Sequence, residues 1–274
     1  MPETDAARPV AGERKASSTR MTSETAALIH LARPFLTLTD EQVQAFATYR
    51  DLLIEWNGRF NLTAVTDPEQ IDRRLFLDAL RMVRSVASIA RPREGGRAVR
   101  LADIGTGAGF PGLALRIALP ELDVTLIEAT GKKVQFLDAV IAELGLTHIT
   151  AVHARAEELG VSPDHRGTFD LVTARGVSSL AALFEMAAPL LRLDGVGLFP
   201  KGMDLTDELA TGERAARIVG LTVESSDVIE GSETRLVVVR KTGETPRQYP
   251  RRPGLPAREP LGAPSKATAR HTAH

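Results

Sequence analysis

Leu101–Pro120 reads LADIGTGAGFPGLALRIALP: an apolar run, four glycines within eight positions (Gly105, Gly107, Gly109, Gly112), then helix-forming residues. This is a strand, a loop that lets a ligand approach bare backbone, and a helix. The surrounding chain repeats the alternation. VRLADI, DVTLIEA, HITAVHA, FDLVTA and VGLFPK read as strands. Helices are expected after Phe110, over Lys132–Leu144, around Ala156–Leu159, over Ser178–Leu193 and over Leu205–Val219. Near-continuous apolar strands between helices predict an α/β fold whose mostly parallel sheet is covered on both faces. LTVESSDVIE and ETRLVVVRK have no helix between them and predict a C-terminal antiparallel hairpin at the sheet's end.

Outward from this core, residues 1–22 are polar and aperiodic, a disordered tail by composition. Met21 is an alternative start to Met1. Residues 23–94 form a helical N-terminal segment. Thr39 followed by Gln42 is a capping box, and Val43, Phe46, Leu53 and Trp56 fall near helical spacing. Residues 98–241 carry the glycine loop. Residues 242–274 are a basic, Pro-rich tail with no regular element expected. The 274 residues contain no cysteine, which excludes disulfides, thiolate metal sites and a cysteine nucleophile, and no metal is expected. There is no apolar run of about 18 residues and no secretory h-region, so the default is a cytoplasmic protein without a membrane partner.

A lone G-x-G-x-x-G at Gly107, Gly109 and Gly112 suggests a dinucleotide. Two carboxylates point elsewhere. Asp103, at the tip of the first strand, repels a pyrophosphate but accepts hydrogen bonds from an ammonium group. Glu128 ends the second strand, where a carboxylate accepts the hydroxyls of a ribose. An ammonium, a ribose and no phosphate describe S-adenosylmethionine. The fold expected is therefore a Rossmann-like S-adenosylmethionine-dependent methyltransferase. No Gly-Lys-Ser/Thr follows the glycines, which excludes a Walker loop. The position after the fourth strand reads TARG, Thr173–Gly176, not the Asp/Asn-Pro-Pro-Tyr/Phe used for amino-nitrogen methylation of bases. An acceptor already nucleophilic at neutral pH, such as guanine N7, fits best because it needs positioning without a general base. No catalytic residue is assigned. A small molecule or protein acceptor stays open, as do an NAD(P)-dependent oxidoreductase and a non-catalytic RNA-binding adaptor.

DIGTGAGFPGLAL, GKKVQFL, RAEEL, FDLVTARGVSSL, PKG, the upstream WNGRFNLTAV and the tail YPRRPGLPAREPL resemble the bacterial 16S rRNA guanine-N7 methyltransferases, the RsmG or GidB family. The resemblance runs from about Leu36 to Leu261. It implies methyl transfer from S-adenosylmethionine to a guanine in the 530 loop of 16S rRNA (position 527). It further implies cofactor contacts at Gly105 and Phe110, at Glu128, Ala129 and Thr130, at Ala156 and Glu157 by the adenine edge, and at Arg175 by the methionine or the target. The chain departs from the family at Leu75, where a histidine is common, and at Glu259, where a basic residue is common.

Charge supports a polyanionic partner. The last 35 residues carry eight Lys/Arg against two Glu, and Arg59–Arg100 carries nine Arg against five acids, on a chain of net charge -1. Arg73, Arg74, Lys132, Lys133, Lys201, Arg251 and Arg252 are the residues expected to contact phosphates. Few aromatic residues are available for stacking, so the expected partner is a structured RNA: 16S rRNA, the small ribosomal subunit or its assembly precursor.

Overall fold

The computed structural model describes residues 36–90 and 96–263, with His30, Ala32 and Arg33. The tail over 1–22 and the last eleven residues lie outside this description. The first long helix, α1 (Asp40–Phe60), begins with the capping box read from the sequence. The Thr39 hydroxyl accepts the Gln42 N–H, and the Gln42 side chain accepts the Thr39 N–H. The Gln42 amide nitrogen also donates to the carbonyls of Ile117 and Ala118, tying α1 to the main body. Asn61, in the left-handed region, ends the helix. Asp67 caps α2 (Pro68–Ile71), with Pro68 in the first turn where its missing N–H costs nothing. A π-helical turn, Asp72–Phe76, leads into α3 (Leu77–Leu80), and α4 (Val83–Ile89) follows.

The sheet has seven strands: β1 (Val99–Ile104), β2 (Leu122–Glu128), β3 (Ile149–His153), β4 (Phe169–Thr173), β5 (Leu191–Lys201), β6 (Leu221–Val228) and β7 (Arg235–Lys241). Their order is β3-β2-β1-β4-β5-β7-β6. β1 to β5 run parallel, while β7 lies antiparallel between β5 and β6. Helices α5 (Gly112–Ala118), α6 (Gly131–Glu143), α7 (Ala156–Val161), α8 (Leu180–Ala187) and α9 (Thr206–Val219) cover the faces. Strand order reverses between β1 and β4, so the crevice for a ligand lies beyond their carboxyl ends.

Strand periodicity divides the core in two. Val99 and Leu101 of β1, with Val124 and Leu126 of β2, pack against α1, α5 and α6. Ala102, Ile104 and Ile127 face the opposite layer, with α7, α8 and α9. On the first face the rings of Phe46, Tyr49, Phe76 and Phe110 form one cluster, with centroids 5.1–5.5 Å apart.

Two boundaries differ from the sequence reading. The helix expected over Ser178–Leu193 is only Leu180–Ala187. Leu191–Gly195 instead extends β5, where Leu191 pairs with Phe169. The Pro-rich end does form a regular element, α10 (Leu255–Arg258), because Pro256 sits in its first turn.

Tyr49 is fully buried and donates its hydroxyl to the Ala108 carbonyl inside the glycine loop. Tyr49→Phe keeps the ring and removes that donor. We expect a loss of about 1–3 kcal/mol, the cost of leaving a buried acceptor unmet. It is measured as a lower urea midpoint at unchanged slope, with faster hydrogen exchange at the Gly109 and Phe110 amides.

Candidate functional site

The loop after β1 is shaped by close approach. Gly105 has φ +62°, and a Cβ there would stand 2.7 Å from a Val177 methyl. At Gly112, a Cβ would come within 2.8 Å of the Asp103 side chain and 2.7 Å of Leu126. Glu128, only 6% exposed, spans two loops. Its Oε2 accepts the Gly107 N–H at 3.0 Å and its Oε1 the Thr130 N–H at 2.8 Å.

A cavity of about 180 Å³ opens at this point, beyond the ends of β1 and β2. Gly105, Glu128, Ala129, Ala156 and Glu157, all assigned from the sequence, line it together. Glu157 is as buried as Glu128. Its Oε1 accepts the Gly254 N–H at 2.8 Å, and its Oε2 has no protein partner among the described residues. Val177, Met186, Gly254 and Ala257 also line the cavity and were not found from the sequence. Gly254 and Ala257 belong to the C-terminal segment, nearly a hundred residues from Glu157, and no local motif marks that meeting.

Several assigned residues stand behind the wall. Gly107 and Thr130 act through Glu128, and Gly109 packs beneath Tyr49 and Leu113. Phe110 is 6% exposed and stacks on Tyr49, with ring centroids 5.4 Å apart. The Arg175 guanidinium stands 5.3 Å from the centre of the Phe110 ring. Arg175 also donates to the Arg74 carbonyl at 3.4 Å. Burial lowers its pKa, opposed by the charges of Asp78 and Asp103.

Asp103 lies deeper than Glu128 and Glu157. It follows Leu101 by two positions, so its side chain points into the α1–α5 layer and is wholly buried. Its Oδ2 accepts the Thr106 hydroxyl at 2.5 Å and the Gly112 N–H at 2.9 Å. Its Oδ1 has no partner among the described residues. Asp103 is not among the residues that line the cavity. Its role here is to hold the glycine loop.

Two of the seven cations assigned to phosphates are neutralised within the protein. Arg251 makes a bidentate pair with the fully buried Glu185, and Lys201 lies 2.6 Å from Glu208 while donating to the Ser178 carbonyl. Neither is a free charge on the surface. Arg73 pairs with Glu69 on an exposed helix face. Arg74, Lys132, Lys133 and Arg252 have no ion pair among the described residues, and the Lys132 ammonium lies 5.4 Å from the Phe60 ring centre. Arg73 and Arg74, with Arg81 and Asp78, line an open groove of about 700 Å³ facing the Gly231–Thr234 turn. Arg175 donates to Arg74, which lines this groove, and lies two residues before Val177, which lines the cavity. Among the described residues, no group of three or more His, Asp or Glu is placed to hold a metal, and no helix is long and apolar enough to cross a membrane.

A doubly wound sheet with an acid-lined cavity at its switch point defines an α/β protein with a ligand crevice beyond the carboxyl ends of its strands. Comparison with known proteins narrows this class. The GidB family model, rRNA small subunit methyltransferase G, matches residues 42–237. The ribosomal RNA small subunit methyltransferase G of Desulfitobacterium hafniense (strain Y51) is 40% identical over 228 residues, 82% of this chain and 91% of that protein. That of Roseiflexus castenholzii (strain DSM 13941 / HLO8) is 46% identical over 229 residues, 82% of this chain and 94% of that protein. The chain belongs to the rRNA small subunit methyltransferase G family. Among solved structures, MtNAS in complex with MTA and tNA aligns at 14% identity and a TM-score of 0.50, covering 72% of this chain and 74% of that one. A Corynebacterium glutamicum protein aligns at 22% identity and a TM-score of 0.50, covering 76% and 93%. These two likenesses show the fold alone.

Burial raises the pKa of Asp103 from the usual carboxylate range to about 7, against the lowering pull of its bonds to Thr106 and Gly112 and of Arg175. An unfolded Asp titrates near about 4. Between these values the folded chain holds a proton that the unfolded chain has released, so stability falls as pH rises. Asp103→Asn, whose amide oxygen retains both bonds, removes this dependence. We expect its stability advantage to grow from about pH 4 to about pH 7 and then level off. Urea unfolding of both proteins across that range measures it.

Proposed function

We propose that this chain transfers a methyl group from S-adenosylmethionine to the N7 of guanine 527, in the 530 loop of 16S rRNA, within the small ribosomal subunit or its assembly precursor. The observation that carries the reading is the convergence of Glu128 and Glu157, both buried, on one cavity beside the bare backbone of Gly105. A pair of carboxylates disfavours a phosphate-bearing dinucleotide and suits a ribose and an exocyclic amine.

The residues fit this cofactor. Each Glu128 oxygen accepts one backbone N–H and keeps a lone pair for a ribose hydroxyl. The free oxygen of Glu157 suits the adenine amino group. Gly105 keeps bare backbone on the cavity wall, where any side chain would press on Val177 across the ligand's space. When bound, the cofactor supplies an electrophilic methyl on a positively charged sulfur. The guanine N7 lone pair is free at neutral pH, so no side chain has to remove a proton. The protein's task is to orient the base and exclude water. Arg175, which stands over the Phe110 ring and donates to the Arg74 carbonyl, would border both ligands. Arg74, Lys132, Lys133 and Arg252 supply charge for the RNA backbone.

The test has two arms. Isothermal titration with S-adenosylhomocysteine should show binding that Gly105→Arg abolishes, and small subunits from cells lacking the protein should lack N7-methylguanosine at the target position. Absence of binding by the native chain, or an unchanged modification, overturns the reading. For the RNA face, Arg74→Glu should flatten the salt dependence of subunit binding by at least about 0.7–0.9 log units per log salt, the share of one phosphate contact. An unchanged slope removes Arg74 from the interface.

A further inference from the structure

The segment after β7 runs as a strap over the layer of α7, α8 and α9 and is held there by three anchors. Near its start, the Arg166 guanidinium donates to the carbonyls of Thr245 and Tyr249, and also to that of Gly160. Pro250 lies on the bare face of Gly160, where a Cβ would meet it at 2.9 Å. In the middle, Glu185 accepts the Arg251 backbone N–H at 2.9 Å and both arms of its guanidinium at 2.7–2.8 Å. At the far end, Arg214 donates to the Gly262 carbonyl at 2.7 Å. Between the last two anchors the strap faces the cavity with Gly254 and Ala257.

These observations give the strap a task beyond packing. α8 carries Glu185, which holds the strap, and also Met186, which lines the cavity. The Gly254 N–H occupies one oxygen of Glu157 and fixes the direction of the other. Arg251, whose charge is matched by a fully buried carboxylate, has little left to offer a phosphate.

We propose that the C-terminal strap is part of the cofactor site. Gly254 and Ala257 form the wall against which the adenine seats. The Gly254 amide orients Glu157 so that its free oxygen accepts from the adenine amino group. Arg251 is a positioning residue that holds this wall through Glu185. The inference rests on the reading of the cavity as the S-adenosylmethionine site.

The experiment is titration of the full chain with S-adenosylhomocysteine and with its 6-oxo analogue, S-inosylhomocysteine. The native chain should prefer the adenine compound. Ala257 is exposed, so Ala257→Trp should fold with an unchanged Tm, yet bind S-adenosylhomocysteine at least tenfold more weakly. Arg251→Ala should lose most of the preference for adenine over the 6-oxo base, with Arg251→Lys restoring part of it. Its salt dependence of subunit binding should stay native. General destabilisation would weaken both ligands alike and leave their ratio unchanged. If the native chain binds S-adenosylhomocysteine and Ala257→Trp binds it equally well, or if Arg251→Ala keeps the native base preference, the strap is not part of the site. If the native chain binds neither compound, the reading of the cavity fails and the inference with it.

Discussion

The carboxylate of Glu128 joins the loops that follow β1 and β2, one through Gly107 and the other through Thr130. A glycine-rich loop has little side-chain surface of its own to pack, and glycine loses the most backbone freedom on ordering. Fixing each such residue costs about 1–2 kcal/mol. Hydrogen bonds to a charged acceptor each return about 1.5–3 kcal/mol. Glu128 grips the loop from the side, Asp103 grips its far end through Thr106 and Gly112, and Tyr49 holds Ala108 from the N-terminal helices. Anchors from three elements therefore set a backbone that could not set itself, and the cavity inherits their rigidity.

Much of this was legible in the sequence, because local chemistry governs it. The five parallel strands stand out as apolar runs, the start of α1 as Thr39 and Gln42, and the left-handed bends as glycines. Glu128 was legible as a strand-end carboxylate. The burial of Asp103 was legible too: a residue two after Leu101 on a strand shares its face, and that face is core. Only a long-range contact settles the rest. Glu185 is 66 residues from Arg251, and Glu157 is 97 residues from Gly254. Neither separation carries any periodicity, so charge counting took Arg251 for a surface cation. Leu191–Leu193 was taken for helix because Leu-Leu-Arg-Leu is a good helix former; pairing with β4 overrides that preference.

Counting cations overstates the charge available to a partner for the same reason. Arg97 and Arg192 converge on the fully buried Asp170, and Arg240 pairs with Glu224. These pairs hold the amino ends of β1, β4 and β5 and the last hairpin. Asp170 is wholly buried and needs such partners, whereas Arg240 and Glu224 are each about a third or more exposed and their pair contributes little. Of the cations expected to meet phosphates, Arg74, Lys132, Lys133 and Arg252 have no ion pair among the described residues. Arg74 borders the groove beside Arg175, while Lys132 and Lys133 open α6 just beyond Glu128.

The insertion of β7 between β5 and β6 bears on how the chain is made. Forty residues separate the end of β5 at Lys201 from the end of β7 at Lys241, and β6 pairs only with β7. At a synthesis rate of about 5–20 residues per second, that span takes roughly 2–8 seconds to emerge. Throughout that interval one edge of the growing sheet has no neighbour, and such an edge invites pairing with another nascent molecule. Pro200 and Lys201 stand at the tip of that edge. Proline withholds a donor and lysine adds repulsion, the two means by which sheets discourage stray partners until the proper strand arrives.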